Sequence, residues 1–268
     1  MNYQEFYTNI IKAPLPLRAR ESLGEILAIQ KKKDNPIEWS KIAKDSAPFD
    51  KYINKIKSDG FLPIKLNRAE ELANTLCDVP HKPPAQKSAK ETIELDNISH
   101  LPVVKSVLEC KSLHKIVSLY LGAPAFLHSC QAWWQYPMGH DHSVSNAQQW
   151  HRDRDDLREI KLFFYATDVD TESGPHGYIP RSHNSSALKE IFEYPNQYPK
   201  IIEGEKHIFL SDDDLVSLGL KVKPKMWLGK AGTCFLEDTS GFHRAYVPTS
   251  KPRLIFSLTW TLGPGWKR

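Results

Sequence analysis

Short segments with β-strand character follow one another closely after Pro124, and they restrict the chain to a small set of folds. Turn residues separate these segments, which are rich in β-branched and aromatic side chains. They lie at 125–136, 147–153, 159–167, 176–180, 206–210, 225–229, 232–237, 242–247 and 253–261. Many short strands at close spacing are typical of a β-sandwich, a jelly roll or a barrel. The sequence therefore predicts a mainly β fold for this half of the chain.

The preceding half has helical periodicity instead. After a turn and a short strand at 59–64, a helix is predicted from residue 69 to 76, with Asn67 as its N-cap. Apolar residues recur near the helical period over 101–121, which predicts a second helix that Gly122 ends. Shorter helical signals occur at 186–193 and 212–218.

These patterns predict one principal domain. Residues 1–50 are interpreted as a partly helical N-terminal extension, and residues 51–268 as a single domain. Within it, helices in 65–122 are expected to pack on a β core formed by 123–265. The change from helical to β-strand patterns near residue 123 is not expected to be a domain boundary, because a β core without these helices would leave one face uncovered.

Composition and charge exclude several classes of function. The chain has 268 residues and a formal net charge of +4, a mild excess that does not indicate nucleic-acid binding. No apolar stretch is long enough to predict a membrane span, and the N-terminus has no signal-peptide pattern. Scattered cysteines without a CxxC pair predict reduced thiols in the cytoplasm. They are Cys77, Cys110, Cys130 and Cys234.

A His-x-Asp pair, His151 and Asp153, is the leading candidate for chemistry. Residues i and i+2 of a strand point to the same face, so both side chains can reach one point. A second histidine would complete a set of two histidines and one carboxylate, which leaves coordination positions open in non-haem Fe(II) oxygenases. His243, which follows a polar turn and enters a later strand, is the candidate. A His-x-Asp pair alone is common by chance, so the hypothesis depends on its context.

Arg253 opens the last apolar segment and provides part of that context. A buried arginine needs an anionic partner, because an unpaired buried charge is costly, and its planar fork matches a carboxylate. Alternation puts Ile255, Ser257 and Thr259 on the same face, so a hydroxyl could bind the same carboxylate. An ordinary salt bridge to Asp or Glu is the alternative.

These residues resemble the phytanoyl-CoA dioxygenase family of Fe(II)/2-oxoglutarate-dependent oxygenases. The resemblance extends from Ser58 to Thr261. It includes Trp150-His151-Arg152-Asp153, the segment from Gly174 to Pro180-Arg181-Ser182-His183, and His243-Arg244-Ala245 followed by Arg253. The family implies a mainly β fold with flanking helices, built on a double-stranded β-helix (a cupin-like jelly roll).

The resemblance also implies the cofactors and their ligands. Iron(II) would be held by the two histidines and the aspartate, and 2-oxoglutarate would chelate it with its far carboxylate on Arg253, with O2 as the second cosubstrate. The implied metal ligands are His151, Asp153 and His243. By looser alignment, Trp133 and Phe164 fall at positions of the cosubstrate-pocket wall, and a role as core aromatics is an equal alternative.

The chain departs from the family pattern at two places. Arg181 stands where the family usually has glycine, which indicates a different turn or an additional charge at the pocket. The spacing from His243 to Arg253 is about one residue shorter than the family suggests, so the hydroxyl partner of the cosubstrate, for which Ser257 is the candidate, is open.

Two readings other than an oxygenase remain at this point. A cupin-type metal isomerase or epimerase would use the metal without 2-oxoglutarate, and an inactive jelly roll would only bind a ligand. His140-Asp141-His142 is a rival metal pair in a loop, although it lacks the glutamate that a cupin would supply. His176 and His183 are interpreted as structural or supporting residues.

The expected reaction is hydroxylation of a C–H bond in a small molecule, with release of succinate and CO2. Asp153 favours hydroxylation, desaturation or ring closure over halogenation, since halogenases of this superfamily have glycine or alanine there. Basic residues near the motif favour an anionic substrate. They are Arg152, Arg154, Arg181 and Arg244.

Overall fold

The computed structural model describes residues 9–11, 13, 15–83, 92–137, 146–194 and 209–263. Its helices are α1 (Leu17–Asp34), α2 (Pro36–Ala43), α3 (Asp50–Asp59), α4 (Ala69–Cys77), α5 (Pro102–Leu108), α6 (Lys111–Leu121), α7 (Leu188–Ile191) and α8 (Asp212–Ser217). Its strands are β1 (Phe61–Ile64), β2 (Thr92–Glu94), β3 (Phe126–Gln135), β4 (Glu159–Tyr165), β5 (His176–Tyr178), β6 (Lys225–Trp227), β7 (Cys234–Glu237), β8 (His243–Ala245) and β9 (Arg253–Thr261).

Two antiparallel sheets form the β core. The larger has the strand order β1-β7-β4-β9-β3-β2, and the smaller has the order β6-β5-β8. Neighbouring strands of each sheet are often distant in sequence, since β9 pairs with both β3 and β4. The prediction of a mainly β fold with flanking helices is confirmed.

Strand β9 is buried along its whole length, which explains its composition. Its outward side chains, including Phe256 and Trp260, belong to the core shared with the helices. Its inward residue Ile255 belongs to a second cluster between the two sheets, together with aromatic residues such as Tyr165 and Trp227. A central strand with both faces covered loses the usual apolar–polar alternation, and here the inner face keeps the polar residues.

Helices cover the outer face of the large sheet. The apolar sides of α4, α5 and α6 contribute Leu72, Val104 and Val117, each completely buried, to one cluster with β4 and β9. Helix α1 reaches the same cluster through Leu27 and Ala28. The predicted division of the chain at residue 50 stays a prediction.

Three local predictions are wrong. The helix predicted for 101–121 is two helices, because the chain leaves the helical conformation at Glu109 and Cys110 while the apolar period continues across the break. Arg68, in a left-handed conformation with φ 59°, is the N-cap of α4, rather than Asn67. Residues 147–153 form a 3-10 turn and isolated bridges rather than a regular strand.

Strand β2 was not predicted, and the predicted strand 206–210 lies mostly outside the described residues. Leu210, its last residue, forms a bridge with Trp150. Within the described parts of the chain, no helix has the length and apolar character needed to cross a membrane.

Gly60 ends α3 and begins β1 in a conformation that other residues adopt at a cost. Its φ is 90°, and a Cβ at this position would collide with the Tyr178 ring. The Tyr178 hydroxyl donates to the Asp238 carbonyl at 3.0 Å, so the ring has little freedom to move. A close contact and an unusual backbone conformation therefore both require glycine here.

We expect Gly60→Ala to destabilise the protein more than Gly122→Ala. Gly122 has a similar φ of 82°, but the nearest atoms to its added Cβ are 3.6 Å away. The control should lose about 1–2 kcal/mol through backbone strain, and Gly60→Ala a further 1–3 kcal/mol or so through overpacking. Urea unfolding measures both losses, and equal losses would contradict the predicted collision.

Candidate metal centre

The two histidines of the predicted triad face each other across a short antiparallel bridge. His151 and His243 exchange backbone hydrogen bonds in both directions, each with an N···O distance of 2.9 Å. Their ring centroids are 4.3 Å apart as a result. Asp153 lies nearby because its backbone N–H donates to the Thr239 carbonyl at 2.9 Å. One ligand atom from each triad residue lies within 4.8 Å of the other two.

Backbone carbonyls hold both imidazole rings in one orientation. Nδ1 of His151 donates to the Gln149 carbonyl at 2.9 Å, and Nδ1 of His243 donates to the Gly241 carbonyl at 3.0 Å. A carbonyl only accepts, so Nδ1 carries a proton in each ring. The Nε2 atoms face Asp153, 3.7 Å from Oδ1 for His151 and 3.4 Å from Oδ2 for His243. Two Nε2 atoms and a carboxylate at this spacing suit a first-row metal.

Burial and mutual interaction set the charges of the triad. Burial and the nearby His243 lower the pKa of His151 to about 4, so this ring is neutral at pH 7. Burial also opposes a charge on His243, but the Asp153 carboxylate outweighs it and raises the pKa of His243. Burial favours protonated Asp153, but Lys161 and His243 outweigh it and hold its pKa well below its usual range. Asp153 is therefore anionic, as a metal ligand must be.

Lys161 contacts the triad, and the sequence analysis missed it. Its Nζ donates to Asp153 Oδ2 at 2.6 Å and to Asp155 Oδ2 at 3.2 Å. On β4 it lies between Glu237 and Thr259 of the neighbouring strands. A lysine on the inward side of an otherwise apolar strand is the signal that could have identified it.

A buried His–Glu pair lies next to His243. The His176 ring is stacked on that of His243 with centroids 5.6 Å apart, and its Nε2 is 2.8 Å from Glu237 Oε1. Burial, His243 and Arg253 hold the pKa of His176 well below its usual range. His176 therefore supports His243 as a neutral ring, as the prediction of a supporting role expected for this residue.

Helix α8 holds the residues beside both histidines. The Asp212 carboxylate accepts from Trp150 Nε1 at 2.8 Å and from Arg244 Nη1 at 2.9 Å. Trp150 precedes His151, and Arg244 follows His243. The Arg244 guanidinium also lies over the rings of Trp150 and Tyr246. Asp212 therefore joins the two segments that carry the histidines.

Arg253 is enclosed at the start of β9, with 1% of the residue exposed. Its Nη2 donates to the side-chain oxygen of Gln135 on β3. Nε and Nη1 have no hydrogen-bond partner among the described residues. Burial lowers its pKa, against an opposing effect of the neighbouring Tyr165 side chain, but a guanidinium stays charged in proteins. Gln135 thus takes the place of the carboxylate that a salt bridge would need, and two donors remain for an anion.

The inward face of the large sheet carries two of the other predicted pocket residues. Trp133 pairs with Ile255 and packs against the cluster between the sheets. Ser257 is buried on the same face as Arg253, but four residues along a strand correspond to about 13 Å. The roles of Trp133 and Ser257 in binding a cosubstrate stay predictions.

The prediction that Phe164 is a wall residue of the cosubstrate pocket is wrong. It is completely buried on the opposite face of β4, where it belongs to the helix-side core and packs against Phe256. The alternation of the strand turns its neighbours Phe163 and Tyr165 inward instead. Phe164 is therefore a core aromatic residue, which was the alternative interpretation.

The four arginines predicted near the site differ in their surroundings. Arg152 is buried, donates to the Ser182 carbonyl at 2.9 Å and lies over the Phe242 ring. Arg181 pairs with Glu190, and its φ of 69° is the left-handed conformation that glycine adopts freely. Arg154 lines a small cavity with Arg152, Asp153 and Arg20. Arg244 pairs with Asp212, as described above.

The last two histidine predictions concern His183 and the pair at 140–142. His183 Nε2 is 3.2 Å from the Lys57 carbonyl, which joins its loop to α3. The rival metal pair at 140–142 lies outside the described residues.

Comparisons with known proteins identify the fold. No protein-family model and no curated protein matches the chain. Among solved structures it is similar to SnoN, a non-haem α-ketoglutarate-dependent epimerase from nogalamycin biosynthesis, with TM-score 0.52 and 15% identity over 81% of this chain and 84% of SnoN. It is also similar to EctD from S. alaskensis, solved with 2-oxoglutarate and 5-hydroxyectoine, with TM-score 0.51 and 16% identity over 79% of this chain and 75% of EctD.

A third similar structure is AviO1 from Streptomyces viridochromogenes Tue57, with TM-score 0.50 and 13% identity over 79% of this chain and 94% of AviO1. At such identities the likeness establishes the shared fold. The prediction of a jelly-roll core with flanking helices is confirmed.

We expect His151 to contribute a fall in the free energy of unfolding of the metal-free protein as the pH is lowered from about 6.5 to about 4. His151 has a pKa of about 4 when folded, against about 6.5 when unfolded. The unfolded chain therefore binds this proton first, and acid favours unfolding. The difference corresponds to a loss on the order of 3 kcal/mol.

Urea unfolding at about pH 7 and about pH 4.5 measures this loss. His151→Gln should lose less stability over this interval than the unchanged protein. His128→Gln, on β3 and outside the triad, is the matched control and should keep the full dependence. Identical losses in the unchanged protein and His151→Gln would contradict the prediction.

Proposed function

We propose that the protein is an Fe(II)- and 2-oxoglutarate-dependent dioxygenase of the phytanoyl-CoA dioxygenase family that hydroxylates a C–H bond of a small molecule. Residues 51–268 would form the catalytic domain, with 1–50 as an extension. The observation that carries the proposal is a buried arginine that forms no ion pair with any described carboxylate, in the same jelly roll as a His-Asp-His set. The first feature suits a carboxylate, and the second suits iron.

The donor set fits a metal with open coordination positions. His151, Asp153 and His243 would each supply one ligand atom, and the backbone carbonyls at their Nδ1 atoms keep both Nε2 atoms directed to Asp153. Such second contacts fix the tautomer of metal-binding histidines. Three protein ligands of this kind are typical of non-haem iron oxygenases, where substrate molecules take the remaining positions.

Arg253 fits the far carboxylate of 2-oxoglutarate. Its Nε and Nη1 are buried without a partner among the described residues, and a guanidinium binds a carboxylate through two parallel hydrogen bonds. Gln135 fixes the guanidinium from the opposite strand. Tyr165 and Ile255 belong to the buried cluster beside it, and a buried setting would strengthen such a pair.

Iron and 2-oxoglutarate, when bound, would supply the oxidising chemistry, in which O2 is consumed and succinate and CO2 are released. The chain itself would orient the ligands, bind the cosubstrate carboxylate and keep water from the reacting atoms. His176 and Glu237 would keep the ring of His243 in place. The presence of Asp153 as a third ligand favours hydroxylation over halogenation.

The substrate class is proposed as small and anionic. Arg152 and Arg154 line a cavity with Asp153, which supports a negatively charged group near the metal.

Epimerisation is a second candidate, because SnoN combines a similar fold with α-ketoglutarate-dependent epimerase activity. The two reactions differ in their products. Hydroxylation under 18O2 adds one labelled oxygen atom to the product, while inversion of a carbon centre leaves its composition unchanged. Mass spectrometry of the product of any turned-over substrate distinguishes them.

We expect the anaerobic protein with Fe(II) and 2-oxoglutarate to show the visible charge-transfer band of the chelate. Asp153→Ala should lose the band with the metal. Arg253→Ala should keep the metal but bind 2-oxoglutarate about 30- to 1,000-fold more weakly, since the loss of a buried charge pair costs roughly 2–4 kcal/mol. Titration of the band with 2-oxoglutarate measures this affinity.

Arg181→Ala is the matched control, because Arg181 is an exposed arginine paired with Glu190. It should leave the band and the affinity unchanged. Metal binding without any band in the unchanged protein would refute the role of 2-oxoglutarate and favour a cupin-type metal enzyme. A protein that binds no metal would be an inactive jelly roll that acts as a binding module.

A further inference from the structure

Lys161 is a charged side chain directed into the interior beside the triad. It lies on β4 with its Cα opposite those of Glu237 and Thr259, and its side chain is 15% exposed. Its Nζ is 2.6 Å from Asp153 Oδ2. The inward face of the sheet thus delivers an ammonium group to the one carboxylate of the triad.

A second carboxylate holds the ammonium in this position. Nζ also donates to Asp155 Oδ2 at 3.2 Å, so Lys161 joins the first and the third residue of Asp153-Arg154-Asp155. This short segment begins the loop that leads from the triad into β4. Its two acidic side chains are therefore tied to the strand that follows, and Asp153 has little freedom to rotate.

The contact uses only one of the two oxygens of Asp153. Oδ2 accepts from Lys161 and also lies 3.4 Å from His243 Nε2, while Oδ1 is 3.7 Å from His151 Nε2 and has no contact with the ammonium. A carboxylate can bind a metal through one oxygen or through both. An ammonium hydrogen-bonded to Oδ2 competes for that oxygen and leaves Oδ1 for the metal.

A buried lysine this close to a cation site lowers the affinity for a metal, unless it also contributes something that favours binding. Its charge repels a divalent metal and weakens the donor strength of the carboxylate. Neutralising Asp153 would explain the lysine in the metal-free protein, but in the loaded site the metal itself neutralises Asp153. Contacts that orient metal ligands commonly contribute about 10- to 100-fold to metal affinity, which can outweigh the repulsion.

We propose that Lys161 is a positioning residue of the metal centre, which holds Asp153 through Oδ2 so that it binds the metal through Oδ1 alone. The inference rests on the proposed function, since it requires the triad to bind a metal. One-oxygen coordination by Asp153 preserves the open positions that a chelating cosubstrate and O2 need.

Titration of the full-length, chelator-treated protein with Co(II) tests the proposal, with the visible absorption of bound Co(II) as a second readout. Lys161→Met keeps the length of the side chain and removes the charge and the donors. It should bind Co(II) about 10- to 100-fold more weakly, with an altered spectrum because Asp153 can then bind through both oxygens. Lys161→Arg, which keeps charge and donors, should restore most of the affinity and the spectrum.

Two further variants separate positioning from a general loss of stability. Lys230→Met removes an exposed lysine that pairs with Asp168 at 2.7 Å, and it should leave affinity and spectrum unchanged. Thermal unfolding shows whether each variant is folded. If Lys161→Met does not fold, Lys161→Gln takes its place, and a reduced affinity with an altered spectrum is expected for it as well.

The outcomes distinguish this proposal from the proposed function. Failure of the unchanged protein to bind Co(II) or Fe(II) would overturn both. Binding by the unchanged protein, together with the same affinity and spectrum in the folded Lys161→Met or Lys161→Gln variant, would overturn only the role of Lys161. Tighter binding by that variant would also overturn it, because Lys161 would then act only as a competing cation.

Discussion

The burial of β9 on both faces is the constraint on which the rest of the structure depends. Helices cover its outer face and the small sheet faces its inner one, so all of its side chains are removed from water. The outward residues, such as Phe256 and Trp260, are apolar and are therefore stabilised by removal from water. The inward Arg253 is charged, so it needs hydrogen-bonding or anionic partners within the interior. An apolar core on the helix side and a core with buried polar groups between the sheets follow from this one strand.

The interior concentrates charge in a way that stability alone does not explain. Lys161 is hydrogen-bonded to Asp153, and the hydrogen-bonded pair of His176 and Glu237 lies against the triad through the ring of His243. Burying such groups costs more than burying apolar residues of the same size. Natural proteins break the rules of core packing mainly at functional sites. The polar interior and the His-Asp-His set are therefore two aspects of one site.

Much of the site could be predicted, because short-range geometry determines it. The i, i+2 spacing of His151 and Asp153 brought both side chains to one point even though the segment is not a regular strand. Burial of Arg253 followed from its place in an apolar run. The prediction for Phe164 was wrong because a loose alignment ignored the alternation that turns its side chain outward. The break between two helices at Glu109 and Cys110 was not predicted because the apolar period continues across it.

The sequence by itself determined the positions of most strands along the chain, the polar residues within them and the identities of the candidate ligands, since each depends on local pattern and residue chemistry. Only the tertiary structure decided which distant residues meet. The bridge between His151 and His243 and the pairing of Arg253 with Gln135 join residues far apart along the chain, and the contact of Lys161 with Asp153 joins a strand to the loop that precedes it. Strand register and sheet packing set those contacts, and both are minima of the whole fold that no local segment encodes.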